Sequence, residues 1–150
     1  MIIQGKGNIL DANVEAVVNT VNELGYMGKG LALEFKNRYP SNFKAYEAAC
    51  ERGEVVVGRM FVTEHIDMFG PRWLVNFPTK RDFRNGSRIE WIKSGLEDLA
   101  RVIEARQIRS IAVPPLGCGN GGLNWKTVRP LIVDALGSLP ECQVTIFEPA

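Results

Sequence analysis

The chain has 150 residues, of which 45% are apolar and 23% charged, with a formal net charge of +1. That length suits one domain able to bury roughly two thirds of its unfolded surface, and too short a length remains for two separate cores. The apolar and charged fractions argue against a disordered chain, and the near-zero net charge is too small to force a reading as a nonspecific nucleic-acid binder.

In chain order, Ile2 and Ile3 suggest a short first strand, and Val14–Thr20 (VEAVVNT) a longer one that stops at polar residues. After MGKG, LALEFKNRYP has helical apolar spacing and ends at Pro40. The next segment, SNFKAYEAACERG, predicts a second helix with Ser41 as N-cap and Gly53 as C-cap. EVVVGRMFVTEHI and RWLVNFPT read as strands, with Gly58 as a bulge and DMFGP as the turn between them. SRIEWIKSGLEDLARVIEARQ is the clearest helix: Ser87 and Glu90 suit a capping box, and Ile89, Ile92, Leu96, Leu99 and Ile103 repeat at helical spacing. SIAVPP then reads as a short buried strand, followed by LGCGNGGLN, a helix over Trp125–Leu136 and the strand QVTIF. This alternation predicts an α/β fold whose mixed or largely parallel sheet is covered by helices on both faces. The polar exits NTVN, NFPTK and PPLGCGNGGLN would then line one cleft beyond the strand ends.

LGCGNGG places three close glycines at a strand-to-helix junction, where backbone N–H groups can turn toward phosphate oxygens. A purely structural turn is the competing reading. GYMGKG also opens onto a helix, with Gly28 and Gly30 letting backbone approach a ribose or phosphate and Lys29 supplying attraction. Neither loop is GxxxxGK[ST] or a strand-borne GxGxxG, so ATPase and hydride-transfer readings lose their sharpest signals. Asn19 and Asn22, at a strand exit, can hydrogen-bond ribose hydroxyls or cap backbone. Lys80, Arg81, Arg84 and Arg88 face only Asp82 over residues 80–88, a local net of +3 that suits either an anionic partner or a solvated turn. Cys50, Cys118 and Cys142 are odd in number and lack CxxC spacing, and His65 is the sole histidine, so neither a disulfide scaffold nor a metal site is expected. No signal-peptide pattern and no apolar run of about 20 residues occur, which points to a cytoplasmic protein away from membranes.

Taken jointly, GNIL (7–10), VVNTVN (17–22), MGKG (27–30), NFPTK (76–80) and PLGCGNGGLNW (115–125) resemble the macrodomain family, and within it the DNA ADP-ribosyl glycohydrolase antitoxins, which are kin to a terminal ADP-ribose protein glycohydrolase. The resemblance implies a single three-layer α/β/α macrodomain over residues 1–150, with a mixed central sheet and an ADP-ribose cleft. It implies that Asn8 and Ile9 stand beside adenine, with Asn19 in the ligand-binding set and Asn22 near the distal ribose. Gly28, Lys29 and Gly30 would approach that ribose, while Gly117, Cys118, Gly119, Asn120, Gly121 and Gly122 would wrap the diphosphate, with Pro115 and Leu116 also in the ligand-binding set. Many members carry Asp where this chain has Asn8.

The resemblance further implies that Lys80 is catalytic. The protein-directed relative pairs that lysine with a loop aspartate, where this chain has Gly121. Neutral Lys80 could attack the ribose; protonated Lys80 could stabilise or protonate the departing thymine. Arg81 and Arg84, if close, would favour the neutral amine. Glu23 or Asp82 as a base and Cys118 as a thiol nucleophile are weaker readings. Tyr26, Arg81, Phe83, Arg84 and Arg88 could contact DNA, and Trp91 fits either a base platform or the helix's core side, the latter preferred. The implied activity removes ADP-ribose from thymidine in single-stranded DNA, with ADP-ribose as substrate moiety and product, no cofactor, and a DNA-modifying ADP-ribosyltransferase toxin as antagonist. A monomer is expected, and longer members carry a further C-terminal region that binds the toxin. Removal of carboxylate-linked ADP-ribose from proteins, or noncatalytic ADP-ribose binding, are the alternatives.

Overall fold

A computed structural model describes residues 1–150. Its six strands, β1 (Ile2–Gln4), β2 (Ala16–Val21), β3 (Phe61–Glu64), β4 (Trp73–Pro78), β5 (Ser110–Val113) and β6 (Gln143–Ile146), form one sheet in the order β1-β6-β5-β2-β4-β3. All neighbours pair in parallel except β3 with β4, which run antiparallel at one edge. Four helices cover the sheet: α1 (Gly30–Arg38), α2 (Pro40–Glu51), α3 (Ile89–Ala105) and α4 (Trp125–Leu136).

Strand alternation sorts the layers. Ala16 and Val18 of β2, Val75 and Phe77 of β4, and Ile111 and Val113 of β5 face α3 and α4. There they pack on Ile92, Leu96, Leu99 and Ile103 of α3 and on Val128, Ile132 and Leu136 of α4. The intervening Val17, Leu74 and Ala112 face α1 through Phe35 and Tyr39, while Val21 packs on Tyr46 and Ala49 of α2. The three-layer α/β/α arrangement expected from the sequence is therefore present, with the helix over 125–136 at the bounds expected.

Three local expectations differ. EVVV is not strand: β3 begins only at Phe61, and Gly53 and Gly58 both take left-handed φ (70° and 88°), so Gly58 is part of a turn and not a bulge. Here the backbone donors find side chains in place of a ladder, Val57 N–H donating to Glu23 (2.7 Å) and Met60 N–H to Asp98 (2.7 Å). Ser41 does not cap α2, because Pro40 opens that helix as its first residue, where a missing N–H costs nothing. Nor does Ser87 cap α3, whose N-cap is Arg88 without a side-chain bond; the Ser87 hydroxyl donates instead to the Thr79 carbonyl.

The sheet reverses direction of growth at β2, which has β5 on one side and β4 on the other. Beyond the carboxyl ends of these three strands the connections diverge to opposite faces, leaving a crevice.

Candidate functional site

The three polar exits do converge there. A cleft of 820 Å³ is walled by Thr20–Asn22 with Tyr26, by Gly28–Ala32, by Thr79–Lys80 with Phe83–Gly86, and by Pro114–Pro115 with Gly117–Gly121. That volume lies in the usual range of about 300–1,000 Å³ for small-molecule sites. The two glycine loops face one another across it: a Cβ placed on Gly30 would stand 4.0 Å from Asn120 Nδ2.

The second loop turns tightly because Gly117, Gly119 and Gly122 occupy left-handed backbone (φ 73°, 73° and 79°). Its internal bonds run from Cys118 N–H to the Pro115 carbonyl (3.1 Å), from Gly122 N–H to the Gly119 carbonyl (3.0 Å) and from Leu123 N–H to the Gly117 carbonyl (3.0 Å). At Gly117 space is also exhausted, since an added Cβ would come within 2.6 Å of Leu123 and 3.1 Å of the Ser87 hydroxyl. The loop is then pinned to the segment after β4, with Ser87 N–H donating to the Gly121 carbonyl at 2.9 Å and Gly86 packed against that same oxygen.

This pinning brings Lys80 to the loop. Thr79 N–H extends the β2–β4 ladder by donating to the Val21 carbonyl at 2.9 Å, and half-buried Lys80 follows with its Cε 3.9 Å from the Cβ position of Gly121. Burial pushes the Lys80 ammonium below the ordinary lysine pKa, and the positive charge of Lys29 pushes it further the same way. The expected influence of Arg81 and Arg84 is thus replaced by that of Lys29. Arg84 is taken up by Asp82 (2.6 and 2.9 Å) and lies over the Phe83 ring, while Arg81 lies over Trp91 at 5.2 Å. The same ion pair holds the Asp82 carboxyl at about 2, below its usual range. Glu23 is occupied by Val57 N–H, so neither carboxylate stands free in the cleft as a base.

The other sequence-derived positions divide. Gly28, Lys29, Gly30, Pro115, Gly117, Cys118, Gly119, Asn120 and Gly121 all line the cleft. Asn22 lines it too while organising its wall: its Oδ1 accepts from Leu24 N–H, Tyr26 N–H and the Tyr46 hydroxyl, and its Nδ2 donates to the Tyr26 carbonyl at 2.8 Å. Asn19 does not reach the cleft; fully buried, it donates to Asn76 Oδ1 (3.4 Å) and Met27 Sδ (3.8 Å), joining a buried amide cluster with Asn42 and Thr63. Leu116 is core, and exposed Gly122 is outside the lining. Asn8 and Ile9 are also outside the lining: Asn8 Oδ1 caps a short 3₁₀ turn through Leu10 N–H, and Ile9 is buried.

Cys118 does line the cleft, but burial raises its thiol pKa and its Sγ contacts the Leu116 carbonyl at 3.7 Å. His65 packs on Tyr39 instead, so the thiol has no base. At the mouth, exposed Tyr26 and Phe83 meet edge to face with centroids 5.0 Å apart. Trp91 corrects another expectation, standing outside the core against Arg81 and Arg88. Sequence reasoning missed Asn85 and Gly86 in the cleft wall, although their Asn-Gly pair is a standard turn signal.

Residues 18–132 match the Macro domain family model. The chain is 51% identical over its whole length to a DNA ADP-ribosyl glycohydrolase of Mycobacterium tuberculosis, of which it covers 43%. It superposes on the solved macrodomain of Mycobacterium tuberculosis DarG with a TM-score of 0.99, covering 100% of this chain and 99% of that one at 51% identity. A structure of Thermosipho africanus DarTG in complex with ADP-ribose matches with a TM-score of 0.89 at 34% identity, over 95% of this chain and 40% of that one. The sequence relative from that organism is a DNA ADP-ribosyl transferase-DNA ADP-ribosyl glycohydrolase fusion protein, 33% identical over 96% of this chain and 41% of its own length. The chain thus spans about two fifths of these full-length relatives.

Proposed function

The chain belongs to the Macro domain family, and from that premise we propose that it hydrolyses the bond between ADP-ribose and thymidine in single-stranded DNA, an activity that serves as an antitoxin. The observation that carries this reading is Lys80, a half-buried amine whose charged form is disfavoured, set where the two glycine loops meet. A module that only held ADP-ribose would not need an amine set partly buried beside a second cation, Lys29, at the point where the loops meet. The identity to DNA ADP-ribosyl glycohydrolases supports DNA as the substrate class.

In this reading the diphosphate lies along Gly117–Gly121, and the distal ribose sits beside Asn22, Gly28, Lys29 and Gly30. Adenine extends toward Asn8 and Ile9, where the Asn8 Oδ1 cap leaves its Nδ2 to meet the base. The neutral Lys80 amine attacks ribose C1 as the bond to the thymine ring nitrogen breaks. The electron pair of that bond leaves with thymine, which takes up the proton lost by the lysine nitrogen. Water then attacks C1 of the adduct, releasing ADP-ribose and restoring the amine. All groups come from one chain, so a monomer suffices, and ADP-ribose is the substrate moiety and product with no cofactor. No helix is long and apolar enough to cross a membrane, and a DNA substrate fits a cytoplasmic site of action. The fused transferase of the Thermosipho africanus relative supports a DNA-modifying transferase as the antagonist.

The test offers the chain single-stranded DNA bearing one ADP-ribosylated thymidine and, separately, protein bearing carboxylate-linked ADP-ribose, and follows free ADP-ribose by mass. Release from DNA bears the proposal out. Release from protein alone moves the activity to carboxylate conjugates, and tight ADP-ribose binding without release from either substrate makes the chain a reader.

A further inference from the structure

A second depression, of 520 Å³, opens beside the cleft and is lined by Arg81, Asp82, Asn85, Gly86, Ser87, Arg88 and Trp91. Asn85 and Gly86 line both cavities, so a single turn of backbone separates them. The Trp91 indole carries two guanidinium groups, that of Arg81 at 5.2 Å and that of Arg88 at 5.6 Å from the ring centroid. Cation–π contact of this kind holds a guanidinium by its face and leaves its N–H edge available. Neither arginine donates to any side chain or backbone carbonyl, and neither has an ion-pair partner. The one carboxylate of the depression, Asp82, is already engaged by Arg84 through both oxygens. The result is a pair of positioned, unpaired arginine forks one turn from the Lys80 amine.

We propose that this depression is a phosphodiester subsite, which takes the DNA strand flanking the modified thymidine as it leaves the cleft across Asn85–Gly86. It rests on that functional reading and extends it from a modified nucleoside to a modified strand. Arg81 and Arg88 supply the donors to phosphate oxygens, a geometry guanidinium suits because two parallel N–H bonds match two oxygens. Trp91 acts as a positioning residue that sets the spacing of the two forks. The subsite reads backbone and not base, so it contributes affinity for a strand without sequence preference.

The experiment compares kcat/KM on an ADP-ribosylated thymidine oligonucleotide with kcat/KM on ADP-ribosyl-thymidine lacking any phosphodiester, for the intact chain and for Arg81→Gln/Arg88→Gln. Both positions are exposed, so the double variant retains the fold. The ratio of oligonucleotide to nucleoside kcat/KM is expected to fall by about tenfold or more, through KM, and the salt dependence on the oligonucleotide to lose a slope of about 0.7 per phosphate contact. Trp91→Leu is expected to lower the same ratio with both arginines present. A ratio unchanged in the double variant overturns the subsite. Anisotropy of an unmodified single-stranded oligothymidylate separates this from the functional reading, because it needs no catalysis. Weaker binding by the double variant sustains the subsite even if the intact chain cleaves nothing, and equal binding overturns it.

Discussion

Gly121→Asp would place a carboxylate beside the amine on which the proposed chemistry depends. Gly121 is not among the left-handed glycines of its loop, so aspartate can adopt its backbone, and only the contact of 3.2 Å between the new Cβ and Ser87 Cβ must relax by a few tenths of an ångström. With Lys80 Cε 3.9 Å from that Cβ, the carboxylate comes within hydrogen-bonding reach of the ammonium. Two unit charges about 4 Å apart attract by about 4 kcal/mol at an effective dielectric near 20 and by about 1 kcal/mol in bulk water. Half-buried Lys80 sits between these limits, so an attraction of about 2 kcal/mol opposes loss of its proton and moves its titration upward. An energy of that size corresponds to about a 30-fold smaller neutral fraction. The expected outcome is a comparable loss of kcat on ADP-ribosylated DNA and an alkaline displacement of the rising limb of the pH–rate profile, with the Lys80 side-chain resonance titrating later by NMR. An unmoved Lys80 titration would refute the electrostatic reasoning. A displaced titration with undiminished rate would show that the protonated amine does the work.

Further outcomes follow from the same geometry. Lys29→Met removes the second cause of the lowered Lys80 pKa but leaves burial, so the alkaline displacement should be smaller than that of Gly121→Asp, measurable in the same pH–rate profile. Gly117→Ala combines left-handed strain with contacts of 2.6–3.2 Å and should destabilise by about 2–4 kcal/mol in denaturant melts, whereas Gly28→Ala, with no atom within 4 Å and ordinary backbone, should be close to silent. Gly95→Ala improves helix propensity by about 1 kcal/mol. Even so it should lower Tm, because its Cβ would lie 2.4 Å from the Phe77 ring where α3 rests on β4.

Much of this site was legible in the chain because strand exits and glycine loops are local signals. Residues at NTVN, NFPTK and PLGCGNGG fall where alternating strands and helices must end, and in a parallel sheet those ends share one edge. What escaped depends on partners far away in sequence. EVVVGRM resembles a strand until Glu23 and Asp98, more than thirty residues distant, are seen to take the backbone donors of Val57 and Met60. Arg81 and Arg84 are adjacent to Lys80 in sequence, yet Lys29 is the cation that acts on it, since Asp82 and Trp91 hold the arginines away. Trp91 sits next to the apolar stripe of α3, and helical spacing alone does not say whether an indole turns to the core or to two arginines. Asn19 and Asn22 look equivalent at a strand exit, but alternation buries Asn19 against Asn76 and leaves Asn22 at the cleft wall.

The most direct measurement is single-turnover release of ADP-ribose from single-stranded DNA bearing one ADP-ribosylated thymidine, by the intact chain and by Lys80→Ala, with ADP-ribose affinity measured for both. Loss of a nucleophilic amine should slow release by about a thousandfold or more, while ADP-ribose affinity stays within about threefold because the glycine loops are untouched. Equal release by the two proteins would contradict the account and take Lys80 out of the chemical step.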